Sequence, residues 1–242
     1  MSIDAIIKAV RWCIDEEAAT NATGDNGTFD GTFDDSFQAA SFYDTLVSDN
    51  ILMNNIIKSK IGDALRWICI YAPAELLTGN DGSDTTGILV DVNNDTTTAI
   101  TTGGQIIGGY IQVPNEFIKI VRVRGNGWHR AVKELISEDS EEYLQLYDEN
   151  GAKATADRPQ AAIIERAQKR IEVYPNGNVD YTYVKDVTVG QDYTASATPL
   201  VPDKAKTSFI YYLAFLLLSA YGDERAVRML EIAKMNLGKG VA

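Results

Sequence analysis

The C-terminal end of the chain constrains the fold most, because it combines a long apolar run with clear helix boundaries. The run Phe209–Leu218 is almost entirely apolar. It is shorter than the roughly twenty residues that a membrane-spanning helix needs, so it predicts a buried helix. Asp203 is an N-cap candidate for this helix, and Gly222 is placed to end it. Asp223 and Gly238 bound a second helix in the same way, which predicts a helical hairpin.

Helical periodicity also marks the N-terminal part of the chain. Apolar residues recur at helical spacing over residues 3–19, and again from Asp49 or Asn50 to Ala72. A shorter helix is predicted over residues 36–46. Pro73 ends or kinks the longest of these helices, because proline lacks the amide hydrogen that a helix interior requires.

The composition between these helices favours β-structure. Residues 79–109 are rich in Gly, Asn, Asp and Thr, and we expect this part to be largely irregular or mobile, with only short strands. The strand candidates over the whole middle section are Ile88–Val92, Thr98–Thr102, Tyr110–Val113, Phe117–Arg124, Trp128–Ile136, Ala161–Arg166, Arg170–Tyr174 and Val179–Val187.

Two turns suggest how some of these strands are joined. Gly125–Gly127 predicts a hairpin in which Trp128–Ile136 returns alongside the preceding strand. A second hairpin is predicted from Ala161–Arg166 and Arg170–Tyr174, continuing through the turn Pro175–Asn178 to Val179–Val187. By alternation, one face of the last two strands is predicted to carry Ile171, Val173, Val179, Tyr181 and Tyr183.

A short helix is predicted between the two groups of strands. Asp139 and Glu142 have the spacing of a capping box, and the helix should end near Glu149.

These elements predict an α+β fold, in which a helical module built from both chain ends carries an inserted β-rich hairpin arm. The expected parts are an N-terminal helical part (1–78), an inserted β-rich section (79–198) and a C-terminal helical hairpin (199–242) that packs with the N-terminal part.

The charge of the chain argues against a surface that grips nucleic acid. There are 34 acidic and 22 basic residues, and the formal net charge is −12, whereas affinity for phosphates comes from Lys and Arg. An acidic wall would instead let DNA pass without sticking. One small basic patch is predicted on the first hairpin, as cross-strand partners for acids or as a contact for an acidic partner protein. It consists of Lys119, Arg122, Arg124, Arg130 and Lys133.

The residue types that carry chemistry are sparse. His129 is the single histidine, and no nucleophile motif accompanies it. Cys13 and Cys69 lie in helical patterns and are interpreted as buried, reduced thiols. We therefore expect no enzyme activity, no cofactor and no metal. The main alternative from these residues is a calcium- or glycan-binding module that uses the loops 25–30 and 81–84, although neither fits the EF-hand pattern.

A series of sequence segments, rather than any single motif, carries a family resemblance. In chain order they are Val113–Val123, Trp128–Val132, Ser137–Leu144, Arg158–Pro159, Arg170–Pro175, Val201–Asp203 and Tyr211–Ala214. Together they resemble the head-to-tail adaptor proteins (also called connector, head-completion or ring proteins) of tailed bacteriophages, of the short-tailed or crAss-like type. The resemblance covers nearly the whole chain, except that the loops 20–36 and 79–109 have no counterpart.

The resemblance implies a virion structural protein at the head–tail interface, made in the cytoplasm of the bacterial host. Such a protein forms a ring, dodecameric by the resemblance, beneath the portal. It extends the DNA channel and provides a platform for tail components. The implied partners are the portal protein, neighbouring copies, other tail or ring proteins, and DNA that passes through without sequence-specific binding; no membrane is involved. Another tail-associated structural protein of a phage remains the nearest alternative.

The resemblance also implies that the C-terminal end contacts the portal. Carried over to this sequence, the implied contact residues are Asn236, Leu237, Gly238, Lys239, Gly240, Val241 and Ala242.

Overall fold

The structure is a computed structural model with an α+β fold, as predicted. It describes residues 1–14, 51–78, 87–147, 153–165, 169–195 and 197–238. Within these ranges the chain forms five α-helices and eight β-strands in two sheets. The predicted helix over 36–46 and both candidate calcium loops, 25–30 and 81–84, lie outside the described residues.

The chain divides into two structural units. Met1–Ile88 and Asp186–Ala242 together form a helical unit, and Leu89–Lys185 form a β unit inserted between them. The segment after Lys185 belongs to the helical unit because it packs on a helix of that unit: Asp186 lies 3.5 Å from Arg66, and the Tyr193 ring lies beside Gly62.

The helical unit contains four of the α-helices, and the β unit contains the fifth. In chain order, the helices are α1 (Ile3–Ile14), α2 (Ile51–Tyr71), α3 (Glu141–Tyr147), α4 (Lys206–Ala220) and α5 (Arg225–Asn236). Helix α4 packs against α1, α2 and α5, so it forms the centre of the helical unit. The prediction for α2 is confirmed to within about two residues, and Pro73 follows its end.

Helix α4 is buried along most of its length, as its apolar run predicts. The buried apolar side chains are Phe209, Ile210, Tyr211, Leu213, Ala214, Leu217 and Leu218. None of the described helices combines the length and apolar character needed to cross a bilayer.

Three of the four predicted helix boundaries in the hairpin are confirmed. Gly222 and Gly238 follow α4 and α5 with φ values of 68° and 70°, a conformation that glycine adopts without steric cost. Asp223 accepts a hydrogen bond from the Arg225 amide at 2.9 Å and so caps α5. The prediction that Asp203 caps α4 is wrong: its carboxylate pairs with Lys206 at 2.7 Å, and a short 3₁₀ turn, Asp203–Ala205, precedes the helix.

The β unit is built from eight strands. They are β1 (Leu89–Asp95), β2 (Thr98–Thr102), β3 (Gln105–Gln112), β4 (Phe117–Gly125), β5 (Ile136–Ser137), β6 (Gln160–Ile164), β7 (Arg170–Tyr174) and β8 (Val179–Lys185). One sheet has the order β1-β8-β4, and the other has the order β2-β3-β7-β6-β5. All pairs are antiparallel except β5–β6.

The two sheets share one hydrophobic core, so the β unit is a sandwich. Its buried members are Ile111, Phe117, Val123, Trp128, Ala161, Ile171, Val173, Val179, Tyr181 and Tyr183. The five residues that alternation places on one face of the last two strands all belong to this core, which confirms that they point inward.

Residues 79–109 are more ordered than their composition suggests. Within the described part of this range, β1, β2 and the start of β3 are regular strands, so the expectation of a largely irregular segment is wrong. Strand β1 pairs with β8, almost ninety residues further along the chain. The order therefore comes from a distant partner rather than from local propensity.

The first of the two predicted hairpins is wrong, and the second is confirmed only in part. Pro175–Asn178 does not join paired strands, because β7 and β8 belong to different sheets and this segment connects one sheet to the other. Trp128–Ile136 does not return as a regular strand beside β4, and the strand that forms a ladder with β4 is β8. Only an isolated bridge between Val123 and Val132 and the short strand β5 remain of the predicted return. The β6–β7 hairpin is confirmed.

The short helix α3 is present, but its start differs from the prediction. Its cap is Ser140, whose hydroxyl accepts a hydrogen bond from the Tyr143 amide at 3.2 Å. The prediction of Asp139 as the cap is therefore wrong by one residue, and the predicted end near Glu149 lies outside the described residues.

Candidate functional site

The basic residues of β4 lie on one face of the strand because one of its two irregularities falls between them. The pairing register with β8 shifts between Phe117 and Lys119, and again between Ile120 and Arg122. A strict period of two would place Lys119 and Arg122 on opposite faces, and the extra residue of a bulge corrects this. Their partners on β8 alternate with the core residues of that strand: Lys119 lies opposite Val184, Arg122 opposite Thr182 and Arg124 opposite Asp180.

The charges on this outer face are only partly compensated. Arg122 donates a hydrogen bond to the Thr182 hydroxyl at 3.0 Å, and its guanidinium lies 3.8 Å from the Asp91 carboxylate. Both charged side chains are more than half exposed, so this pair contributes little stability. Arg124 is exposed and makes no hydrogen bond or ion pair with a described residue. Of the two interpretations of the patch, pairing with an acid of the same sheet applies to Arg122. Arg124 is exposed and available to a partner protein.

Arg130 and Lys133 are brought alongside β4 by the bridge between Val123 and Val132. The two amides of this bridge each donate to the opposite carbonyl at 2.8 Å. Lys133 follows Val132 directly, and Arg130 precedes it by two residues, so both lie within a few ångströms of the strand along the backbone. Both side chains are exposed, and neither has a polar partner among the described residues.

A tight turn fixes the position of this segment. The Trp128 amide donates to the Gly125 carbonyl at 3.0 Å, and Gly127 adopts a φ of 80°. The Trp128 ring is buried in the sandwich core and lies so close to Gly125 that any side chain at position 125 would overlap it. Gly125 is therefore required for Trp128 to anchor the residues that carry Arg130 and Lys133.

The same segment lines a cavity of about 520 Å³ at the surface of the β unit. Arg130 and Lys133 form part of its wall, together with Glu134, Glu142 and Gln160. The side-chain oxygen of Gln160 is buried and has no hydrogen-bond partner among the described residues. The cavity wall thus carries two basic and two acidic side chains, together with an acceptor that can receive a hydrogen bond.

His129 forms a contact that the sequence alone did not indicate. Its Nδ1 lies 2.5 Å from the Asp157 carboxylate, and its backbone amide donates to Ala156 at 3.0 Å. Both side chains are mostly exposed. The pair therefore ties two surface segments of the β unit together.

The main polar cluster of the β unit was not predicted from the sequence. Glu172 on β7 is fully buried, and one of its oxygens accepts hydrogen bonds from three tyrosine hydroxyls. The three donors are Tyr143 and Tyr147 of α3, both at 2.9 Å, and Tyr174 of β7 at 2.6 Å. The other oxygen accepts from Arg170 at 2.6 Å and 3.0 Å, so both carboxylate oxygens are satisfied.

The electrostatics of this cluster favour a charged Glu172. Burial by itself would raise the pKa of Glu172, but the hydrogen bonds from Tyr174, Arg170, Tyr143 and Tyr147 outweigh burial and hold the pKa below its ordinary value. Burial and the same bonds raise the pKa values of Tyr143 and Tyr174, so these hydroxyls stay protonated as donors.

This cluster fastens α3 to the outer side of the five-stranded sheet. Tyr143 and Tyr147 are one helical turn apart and reach the same carboxylate, while the Arg170 guanidinium lies over the Tyr110 ring at 4.8 Å. Because all three tyrosine hydroxyls and the Glu172 carboxylate are satisfied within the cluster, its arrangement fits a structural role. The alternation of Arg170, Glu172 and Tyr174 along one strand is visible in the sequence and places them on one face. It does not show that Tyr143 and Tyr147 contact that face.

The C-terminal contact candidates divide into two groups. Leu237 is buried in the helical unit, with 1% of its surface exposed, so its side chain belongs to the core rather than to a contact surface. Asn236 and Gly238 are exposed, and the Asn236 amide donates to the Ile232 carbonyl at 2.9 Å. Lys239, Gly240, Val241 and Ala242 lie outside the described residues.

Cys13 and Cys69 are both buried and unoxidised, as predicted. Within the described residues, no three or more His, Cys, Asp or Glu side chains are grouped so that they could hold a metal ion.

No family model matches the chain, and a search of curated proteins finds no match.

Proposed function

We propose that this chain is a head-to-tail adaptor subunit of a tailed bacteriophage. It would form a ring, dodecameric by the resemblance, beneath the portal protein, extend the DNA channel and carry later tail components. The observation that supports this proposal best is the order of the two units. Helices from both chain ends pack together, and a β unit is inserted between them, which is the organisation that the family resemblance implies.

The distribution of charge is compatible with this role. The helical unit has 11 basic and 20 acidic residues, a formal charge of −9, whereas the β unit has 11 basic and 14 acidic residues, a formal charge of −3. A ring multiplies the negative charge of each subunit, so a wall formed by such subunits repels phosphate and lets DNA slide.

Locating the protein in the particle tests the proposal. Antibodies raised against the purified chain should label phage particles at the neck, and cryo-electron microscopy should show the α+β subunit as a ring between portal and tail. Label on the capsid shell or the tail tip would favour a different structural protein. Absence of the chain from purified particles would overturn the proposal.

A shortened chain tests the C-terminal contact. A chain ending at Gly238 keeps the buried Leu237, so its melting temperature should equal that of the full chain. It should bind less of the co-expressed portal protein in a pull-down, because four implied contact residues are missing. Leu237→Ala is the matched control: it should lower the free energy of unfolding by about 2–3 kcal/mol through a core cavity. Full portal binding by the shortened chain would exclude this contact.

A further inference from the structure

The negative charge of the helical unit is concentrated in one segment. Residues 15–50 contain nine acidic residues and no lysine, arginine or histidine. This segment alone therefore carries a formal charge of −9, out of −12 for the whole chain. Charge complementarity favours a cationic surface as the binding partner of such a segment.

The β unit offers such a surface, the patch formed by Lys119, Arg122 and Arg124 on β4 with Arg130 and Lys133 beside it. A bulge between Ile120 and Arg122 aligns the strand cations on one face, and the bridge between Val123 and Val132 brings Arg130 and Lys133 close to the strand. Arg124, Arg130 and Lys133 are exposed and form no ion pair in the described part of the chain. Three cations of the patch are thus open to an acidic partner on an otherwise acidic molecule.

We propose that this cationic patch binds the acidic segment 15–50 of a second copy of the chain. The segment supplies nine carboxylates to a patch of five cations, which is enough to neutralise it. Copies with a net charge of −12 repel one another, and this contact places opposite charges where two copies meet.

The geometry of such a contact also determines the kind of assembly. The segment and the patch are different surfaces, so each copy would use its segment on one neighbour and its patch on another. A head-to-tail contact of this type produces a ring when its rotation closes and a filament when it does not. The inference does not require the phage assignment, since self-association is measured on the purified chain.

Zero-length cross-linking of an isotope mixture tests the contact directly. Carbodiimide joins lysine amines to carboxylates that touch them, so an equal mixture of ¹⁴N- and ¹⁵N-labelled chains should give mixed-isotope links from Lys119 or Lys133 to acidic residues of 15–50. Links within one isotope only would show that the segment binds its own chain and would overturn the proposal. Absence of these links at high protein concentration would also overturn it.

Charge-reversed variants separate the patch from net charge. Arg124→Glu with Lys133→Glu should weaken self-association in analytical ultracentrifugation by at least about tenfold at low salt. The matched control is Lys153→Glu with Arg158→Glu, which reverses two other exposed cations of the β unit and changes the net charge equally. The association constant of the control variant should stay within about twofold of that of the unmodified chain. High salt should weaken self-association of both these chains.

Rescue by complementary charge completes the test. Asp34→Lys with Asp35→Lys should restore association when this variant is mixed with the patch variant. Equal effects of the patch and control variants, or no rescue, would contradict the proposal. If the unmodified chain binds duplex DNA and the patch variant does not, the patch would be assigned to nucleic-acid binding instead.

Discussion

At the scale of single residues, Glu172 shows how a buried charge is tolerated in the β unit. The carboxylate has no exposed surface, yet five hydrogen bonds from four side chains surround it. A buried carboxylate without such donors would be strongly destabilising. Its donors come from α3 and β7, so the residue couples the position of a helix to the position of a strand.

Replacing this carboxylate by an amide should destabilise the β unit. Glu172→Gln removes the charge that Arg170 and three tyrosines solvate and leaves donors facing the new amide group. We expect a loss of about 2–4 kcal/mol in the free energy of unfolding, measured by urea denaturation at neutral pH. Glu142→Gln, an exposed change on α3, is the control and should have almost no effect.

The same pair of variants should differ in acid. The folded pKa of Glu172 lies below its unfolded value, so the stabilisation is complete above the unfolded pKa and is lost as the pH falls through the folded pKa. The advantage of the native chain over Glu172→Gln should therefore be constant at neutral pH and shrink below about pH 4.5. A constant difference down to pH 2 would mean that folding does not lower the pKa of Glu172.

At the scale of elements, the helices could be predicted from the sequence and most strand pairings could not. The sequence signals for α2 are local. Apolar residues spaced three and four apart mark its buried face, and Pro73 marks its end. The pairings of β8 with β1 and β4 join residues far apart in sequence. The residues near Gly125 do not indicate that β4 forms its ladder with β8 and not with Trp128–Ile136.

The candidate site divides in the same way. The cations of the patch are visible in the sequence, but the common face of Lys119, Arg122 and Arg124 depends on bulges that form only against β8. The Glu172 cluster could not be found from the sequence, because its members come from two elements whose contact is set by tertiary packing.

The central helix α4 offers a test of the core at this scale. Leu217 is 1% exposed, so Leu217→Asp places a carboxylate without a partner in the core and should abolish cooperative folding of the helical unit. Val227→Asp on α5 is the control, since Val227 is 64% exposed and should tolerate the charge. Circular dichroism during heating distinguishes the two. A soluble Leu217→Asp variant that melts cooperatively would contradict the burial of α4.

At the scale of the whole molecule, the inserted β unit begins and ends at one place. Leu89, its first residue, pairs with Val184, its last but one, in an antiparallel register. The two backbone crossings between the units therefore lie about 5 Å apart. The helical unit needs only a short bridge at this position to be a continuous chain.

This arrangement predicts that the helical unit folds without the insert. Replacing residues 89–185 by about four Gly and Ser residues spans the gap and should leave a cooperatively melting helical protein. Near-ultraviolet circular dichroism should retain the signal of the stacked Trp67 and Tyr212 rings, whose centroids are 4.0 Å apart. A chain that also lacks residues 186–198 should be less stable, because it loses the contacts of Asp186 and Tyr193 with α2. Unfolding of the first shortened chain would show that the two units depend on each other.

The adjacency of Leu89 and Val184 also bears on the order of folding. Helices α2 and α4 pack together although well over a hundred residues separate them along the chain. Once β1 and β8 have paired, the path between the helices shortens to roughly forty residues, which lowers the entropic cost of closing the loop by about 1 kcal/mol. Early formation of the sandwich would therefore accelerate docking of the terminal helices during synthesis and refolding.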